Sequence, residues 1–128
     1  MRKNPEQILQ EWFASWLFNK GFLFCASCGG MRTSVKTAKK MKAAGYKRGF
    51  PDMQIFKARG GYHGLLIELK IGPGVPSPDQ KKWRDNLIKE NYFSVIMPKG
   101  LSHKQGQDWL IKTVNEYMAL PDLDRAIE

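Results

Sequence analysis

An apolar run near the middle of the 128-residue chain carries two charged residues, Glu68 and Lys70, among leucines and isoleucines. Because successive side chains of a strand point to opposite faces, Glu68 and Lys70 would share one face with Leu66. A strand so rich in Leu and Ile is expected to be buried on both faces. Burying a carboxylate and an ammonium is costly unless they have partners or a chemical role. The run therefore predicts a core strand that carries functional charges.

A second carboxylate, Asp52, follows Pro51 at the start of the preceding apolar segment. A short hairpin through a polar, glycine-containing turn would bring Asp52 close to Glu68. Two clustered carboxylates repel each other and favour a hard divalent cation, which takes oxygen ligands. Lys70 could hold or activate an attacking water and steady the developing phosphate charge. The alternative is a structural Glu68–Lys70 pair on a half-exposed strand.

The composition restricts the partners of the chain. Lys and Arg number 21 against 12 Asp and Glu, which gives a formal charge of +9. Ribosomal and membrane-surface proteins share such a surplus, but beside a candidate metal site it indicates a phosphodiester substrate. The N-terminus lacks a signal-peptide pattern, and no stretch approaches the apolar length of a transmembrane helix. We expect no membrane partner and a cytoplasmic location in a bacterial or phage-infected cell.

Apolar periodicity and capping residues predict alternating helices and strands. The predicted elements are a helix over 5–19 capped by Asn4, a strand over 22–25, a helix from a Thr33 or Ser34 cap to Ala44, strands over 52–56 and 64–71, a helix over 78–91 capped by Ser77, a strand over 92–97 and a helix over 103–119. This order is typical of one mixed sheet in an α/β layer architecture. We expect one domain over residues 1–120 and a short C-terminal tail over 121–128.

The densest basic block lies immediately before the Asp52 strand. A solvated helix face is one interpretation of it, and contact with nucleic-acid phosphates is the other. The candidate phosphate-binding residues are Lys36, Lys39, Lys40, Lys42, Lys47 and Arg48.

Cys25 and Cys28 form a lone C-x-x-C motif. A zinc site would need two more ligands, and the two histidines of the chain, His63 and His103, lie far along it. The flanking residues differ from those of thioredoxin-like redox motifs. We expect reduced thiols without a metal or redox function.

Taken in order, the motifs resemble the VRR-NUC branch of the PD-(D/E)xK nuclease superfamily, in particular its small standalone phage-type members. The segments that carry the resemblance are residues 6–10, 29–32, 43–52, 64–70 and 77–83. Each segment alone is weakly specific, whereas their order and spacing together are specific. The resemblance implies a restriction-endonuclease-like fold, with a mixed β-sheet flanked by helices on both faces.

The resemblance also implies a Mg²⁺ or Mn²⁺ site. Its ligands would be Asp52, Glu68 and the Leu69 backbone carbonyl, with Glu6 reaching the site from the first helix. The sequence offers Glu11 as a competing carboxylate, although it lies among apolar neighbours. Helix N-terminal charge complementarity is the alternative explanation for Glu6.

Two further catalytic residues follow from the same resemblance. Lys70 would orient the nucleophilic water, and Gln80 would bracket the metal site from the helix that follows the core strand. Gln80 is also the third residue of a predicted capping box with Ser77, which does not exclude the other role.

The function that the resemblance implies is a metal-dependent endodeoxyribonuclease, structure-selective for branched DNA such as four-way (Holliday) junctions or flaps. Since no separate recognition domain is recognisable, we expect a homodimer with two metal sites and no small-molecule cofactor. Two alternatives remain open, a noncatalytic nucleic-acid-binding protein on a nuclease-like fold and an RNA-processing nuclease.

Overall fold

The computed structural model of the chain describes residues 4–27 and 34–123. Four helices and four strands lie within these ranges, in the order that the sequence predicts. They are α1 (Pro5–Asn19), β1 (Phe24–Ala26), α2 (Val35–Ala43), β2 (Met53–Ile55), β3 (Leu65–Glu68), α3 (Pro78–Lys89), β4 (Phe93–Ile96) and α4 (His103–Met118). None of these helices is both long enough and apolar enough to cross a membrane.

The helices begin at the polar caps that the sequence predicts. The Asn4 side chain accepts a hydrogen bond of 2.8 Å from the backbone of Gln7 at the start of α1. Ser34 caps α2, whereas the alternative cap, Thr33, lies outside the described residues. Ser77 forms the predicted capping box at the start of α3, which satisfies two otherwise unpaired backbone donors.

The ends of the elements differ from the prediction by one to several residues. The first strand starts at Phe24 because the backbone nitrogen of Phe22 donates to the carbonyl of Leu17 at the end of α1. Helix α3 ends at Lys89 rather than at Asn91, since Asn91 adopts a left-handed φ of 66° that an α-helix cannot contain. Both differences arise where carbonyls at the end of a helix accept hydrogen bonds from the backbone that follows it.

The sheet is mixed, with strand order β1-β2-β3-β4. Strand β2 pairs antiparallel with both β1 and β3, while β3 pairs parallel with β4, which α3 connects to it. The register pairs Met53 with Ile67, so its continuation by one residue sets Asp52 opposite Glu68. The predicted hairpin therefore exists, and it aligns the two candidate carboxylates.

Helices cover both faces of the sheet, as predicted. On one face Met53 and Ile67 are buried against α1 and α4, which contribute Phe13 and Val114 to the same apolar cluster. The opposite face includes Leu66, which lines a cavity together with Leu87 of α3. All four residues of β3 are buried, which confirms the prediction of a core strand.

The first residues after position 120 contact the loop between β2 and β3. The Pro121 carbonyl accepts a hydrogen bond of 2.7 Å from Gly60, and Asp122 forms an ion pair of 3.1 Å with Arg59. Residues 124–128 lie outside the described residues. The boundary at residue 120 between a domain and a tail stays a prediction.

Candidate active site

Asp52 and Glu68 lie side by side at one end of the β2–β3 pair. Asp52 Oδ2 accepts a hydrogen bond of 2.8 Å from the backbone nitrogen of Leu69. The side chains of Asp52 and Glu68 are also hydrogen-bonded to each other. The Glu68 carbonyl accepts a hydrogen bond of 2.9 Å from Met97, directly after β4. The carboxylates are thus positioned by backbone contacts from two neighbouring strands.

Glu68 is almost fully buried, with 5% of its surface exposed. This burial is the main reason that the pKa of Glu68 rises from 4.5 to about 10. The hydrogen bond with Asp52 and the negative charges of Asp52 and Glu6 raise the pKa further, while the Lys70 ammonium lowers it. Without a bound cation, Glu68 therefore holds a proton at neutral pH.

Glu6 and Lys70 lie close enough to Glu68 for their charges to shift its pKa. Glu6 is half-buried in the first turn of α1, and Lys70 is half-buried two residues after Glu68. Glu11, the competing carboxylate of the same helix, is exposed. The structure thus brings together Asp52, Glu68, Lys70 and Glu6, whose catalytic roles stay predictions.

The donors at this site fit a hard divalent cation. Asp52 and Glu68 supply carboxylate oxygens, the backbone nitrogen of Leu69 donates to Asp52, and the Leu69 carbonyl as a further ligand stays a prediction. Across residues 4–27 and 34–123, no group of three or more His, Cys, Asp or Glu side chains is arranged to hold a metal ion. Mg²⁺ commonly keeps several waters beside one or two carboxylates, so the Asp52–Glu68 pair is compatible with such a site, and Glu6 as a further ligand stays a prediction.

Gln80 takes part in the capping box of α3. Its Oε1 accepts a hydrogen bond of 2.9 Å from the Ser77 nitrogen, and its own nitrogen donates to the Ser77 hydroxyl at 3.2 Å. The start of α3 also lies against Gly49, since a Cβ at Gly49 would come 2.9 Å from the Gln80 nitrogen. The capping role is confirmed, and the role of Gln80 at a metal site stays a prediction.

The predicted phosphate-binding residues fall into two groups. Helix α2 buries none of its residues and carries exposed lysines along its length. Lys47 and Arg48 instead line a cleft between the loop before β2 and helix α3. The lysines on α2 are Lys36, Lys39, Lys40 and Lys42.

Four further residues of this cleft were missed by the sequence analysis. They occupy one face of α3 at helical spacings of three, four and seven residues, which is the pattern that could have revealed them. These residues are Asp79, Lys82, Trp83 and Asn86.

The cysteine motif takes no part in this site within the described residues. Cys25 is an exposed free thiol on β1. Its predicted neighbour Cys28 and the segment 29–32, part of the family resemblance, lie outside the described residues. The expectation that the two thiols have no metal or redox function stays a prediction.

Comparison with known proteins identifies the family. The profile of the VRR-NUC domain matches residues 4–98, which is nearly three-quarters of the chain. A solved structure titled "VRR_NUC domain protein" is 29% identical, superposes with a TM-score of 0.72, and aligns over 95% of this chain and 94% of its own. A search of curated proteins gave no match. The matched region contains Asp52, Glu68 and Lys70, and the match confirms the resemblance that the motifs indicated. This chain therefore belongs to the VRR-NUC domain family, with the nuclease-type function that the domain implies.

Proposed function

We propose that this protein is a Mg²⁺- or Mn²⁺-dependent endonuclease that hydrolyses DNA phosphodiesters and selects branched structures such as four-way junctions. The observation that carries the proposal is the Asp52–Glu68 pair, in which Glu68 is buried and Asp52 half-buried, with Lys70 two residues after Glu68. Such a pair is unfavourable as a purely structural element, because burial removes the Glu68 carboxylate from water and so disfavours its ionised form. A cation bound between the two carboxylates would offset that cost.

Each residue of the site has a distinct part in the proposed reaction. Asp52 and Glu68 bind the cation, and the hydrogen bond from Leu69 keeps Asp52 turned toward its partner. A bound divalent cation polarises the scissile phosphate and lowers the pKa of an attacking water. Lys70 holds that water and balances the negative charge that develops on the phosphate. Glu6 adds negative charge beside the site, which strengthens the attraction for a cation.

Charge supports a nucleic-acid partner, and the proposed dimer would account for a branched substrate. The net charge of +9 and the exposed lysines of α2 favour a polyanionic partner. A two-fold homodimer would present two metal sites, as paired cuts across a junction require. Three phenylalanines are candidates for such an interface: Phe18 is 75% exposed, whereas Phe22 stacks on Trp16 and Phe50 packs edge-on against Trp83 with the ring centres 4.9 Å apart. Phe18 is therefore the strongest candidate for an interface residue.

The proposal is tested by incubating the purified chain with a labelled four-way junction in Mg²⁺, in Mn²⁺ or in chelator. We expect cleavage products with either metal and none in chelator. Asp52→Asn should abolish cleavage, whereas Asp108→Asn, which alters an exposed carboxylate on α4 that pairs with Lys104, should cleave like the wild type. Metal-independent cleavage, or full activity of Asp52→Asn, would contradict the proposal.

The alternatives predict different results in the same assay. A noncatalytic nucleic-acid-binding protein would bind the junction without any metal-dependent product. An RNA-processing nuclease would cut a structured RNA in preference to DNA of the same shape. Light scattering of the chain with and without junction DNA measures the expected homodimer, and a strictly monomeric active enzyme would remove the symmetry argument.

A further inference from the structure

A cleft of about 300 Å³ opens beside the candidate active site, between the loop before β2 and helix α3. Three of its six lining residues are cationic, and one carries a large aromatic ring. Arg48 lies four residues before Asp52, so the loop that forms one wall of the cleft leads directly to the site. The lining residues are Lys47, Arg48, Asp79, Lys82, Trp83 and Asn86.

The shape of the cleft depends on tertiary contacts. The Trp83 indole nitrogen donates a hydrogen bond of 3.1 Å to the Arg48 carbonyl, and its ring meets Phe50 edge-on at 4.9 Å. These contacts fix the orientation of the indole. At Gly49 the loop comes so near α3 that an added Cβ would lie 2.7 Å from the Asp79 Cβ. The aromatic wall and the backbone that carries the cations are therefore held in place before any ligand binds.

The chemistry of the lining corresponds to that of a nucleotide. Three cations outnumber the single carboxylate of Asp79, so the cleft attracts a phosphate despite that residue. Trp83 offers an aromatic surface for stacking, while Asn86 and Asp79 can bond with the edge of a base. A volume of about 300 Å³ is at the lower end for ligand sites, enough for one nucleotide but not for a helix.

We propose that this cleft binds one unpaired nucleotide of the strand that enters the Asp52–Glu68 site. Within a duplex the faces of the bases are covered by their stacked neighbours, so only an unpaired base can lie against Trp83. Lys47, Arg48 and Lys82 hold its phosphate. This inference rests on the proposed nuclease function and deepens it, because an unpaired nucleotide next to the cut would explain selection for flaps and other branched DNA that contains unpaired nucleotides.

The test is a binding measurement in chelator, where no cleavage competes. The full chain is titrated into two labelled DNAs that share a sequence, one fully paired and one with a short unpaired stretch. We expect tighter binding of the second DNA and, on binding it, quenching of tryptophan fluorescence. Trp83→Leu should weaken binding of the unpaired probe roughly 5- to 150-fold, the range expected for one lost stacking contact, and should remove the preference.

A matched pair of lysine variants separates the cleft from general charge attraction. Lys82→Ala should weaken binding of the unpaired probe more than Lys81→Ala, since Lys81 is an exposed neighbour on the same helix that does not line the cleft. If Trp83→Leu fails to fold, Trp83→Phe retains an aromatic ring and should abolish the fluorescence quenching without abolishing binding.

The results distinguish this inference from the function on which it rests. Binding of both probes without preference, or quenching that survives in Trp83→Phe, overturns the nucleotide cleft and leaves the nuclease proposal standing. Equal effects of Lys82→Ala and Lys81→Ala also overturn it. Failure of the wild-type chain to bind either DNA overturns both.

Discussion

The side chain of Asp52 is bound to the backbone of Leu69, 17 residues later, by a hydrogen bond of 2.8 Å. This contact joins the start of β2 to the end of β3 at the position where Glu68 is buried. It orients one carboxylate toward the other and sets the Leu69 backbone beside both. The candidate site is thus organised by the strand pairing itself, before a cation or a substrate arrives.

Lys70→Ala should abolish cleavage and leave binding of branched DNA near that of the wild type. The ammonium lies near the carboxylates and would act on the attacking water, so its loss should lower the cleavage rate by at least about 100-fold. Single-turnover cleavage and a binding titration in chelator measure the two effects. Lys112→Ala, an exposed lysine on α4, is the control and should retain activity. Retained cleavage by Lys70→Ala would show that another group activates the water.

Glu68→Gln should stabilise the metal-free chain and make its stability less dependent on pH. Glu68 has a folded-state pKa of about 10 against an ordinary value of 4.5, so unfolding releases a proton between these pH values. The stability that the raised pKa contributes is complete below pH 4.5 and is lost as pH rises toward 10. Glutamine has no proton to lose there.

Urea unfolding in chelator at a series of pH values measures this effect. The free energy of unfolding of the wild type should fall more steeply with rising pH than that of Glu68→Gln. In a second series without chelator, added Mg²⁺ or Mn²⁺ should stabilise only the wild type. Parallel curves would mean that Glu68 is not protonated in the metal-free fold.

Gly49→Ala should destabilise the chain by about 2–4 kcal/mol. Gly49 has a φ of +84°, and an added Cβ would lie 2.8 Å from the backbone carbon of Asp79. The matched control is Gly45→Ala, where φ is +99° but nothing lies within 4 Å of the added atom, so only the backbone strain of about 1–2 kcal/mol applies. Chemical unfolding compares the two variants. Equal losses would indicate that the loop can move away from α3 at little cost.

Gln80→Ala should lower both stability and cleavage if Gln80 serves the metal site as well as the cap. The capping box of α4, formed by Ser102 and Gln105, provides a direct comparison. We expect Gln80→Ala and Gln105→Ala to cost similar stability, about 0.5–1 kcal/mol, because each removes the same type of hydrogen bond. Cleavage should fall about tenfold or more in Gln80→Ala alone. Unchanged cleavage would limit Gln80 to its capping role.

The features that the sequence predicted correctly depend on neighbours along the chain. The caps at Asn4, Ser34 and Ser77 act within one helical turn, so their residue types and spacing are sufficient to locate the helix starts. The meeting of Asp52 with Glu68 was predictable for a related reason. A short hairpin between two apolar strands brings the two carboxylates together, and the turn residues between the strands are sufficient to predict that hairpin.

The strand ends and the cleft could not be located in this way. The first strand begins at Phe24 because α1 ends by binding Phe22, a contact that depends on how the two elements meet. The Trp83–Arg48 hydrogen bond joins residues 35 positions apart, and neither residue type indicates the other as a partner.

By itself the sequence determined the order of elements, the mixed sheet and the pair of carboxylates, because these follow from periodicity, capping and short-range connection. The family followed from the order of motifs that resemble those of VRR-NUC domains. Only the tertiary structure decided how deeply Glu68 is buried, which first-helix carboxylate approaches it, and where α3 and the loop before β2 enclose a cationic cleft. The physical reason is that burial and long-range contact depend on the packing of distant segments, which local residue patterns do not encode.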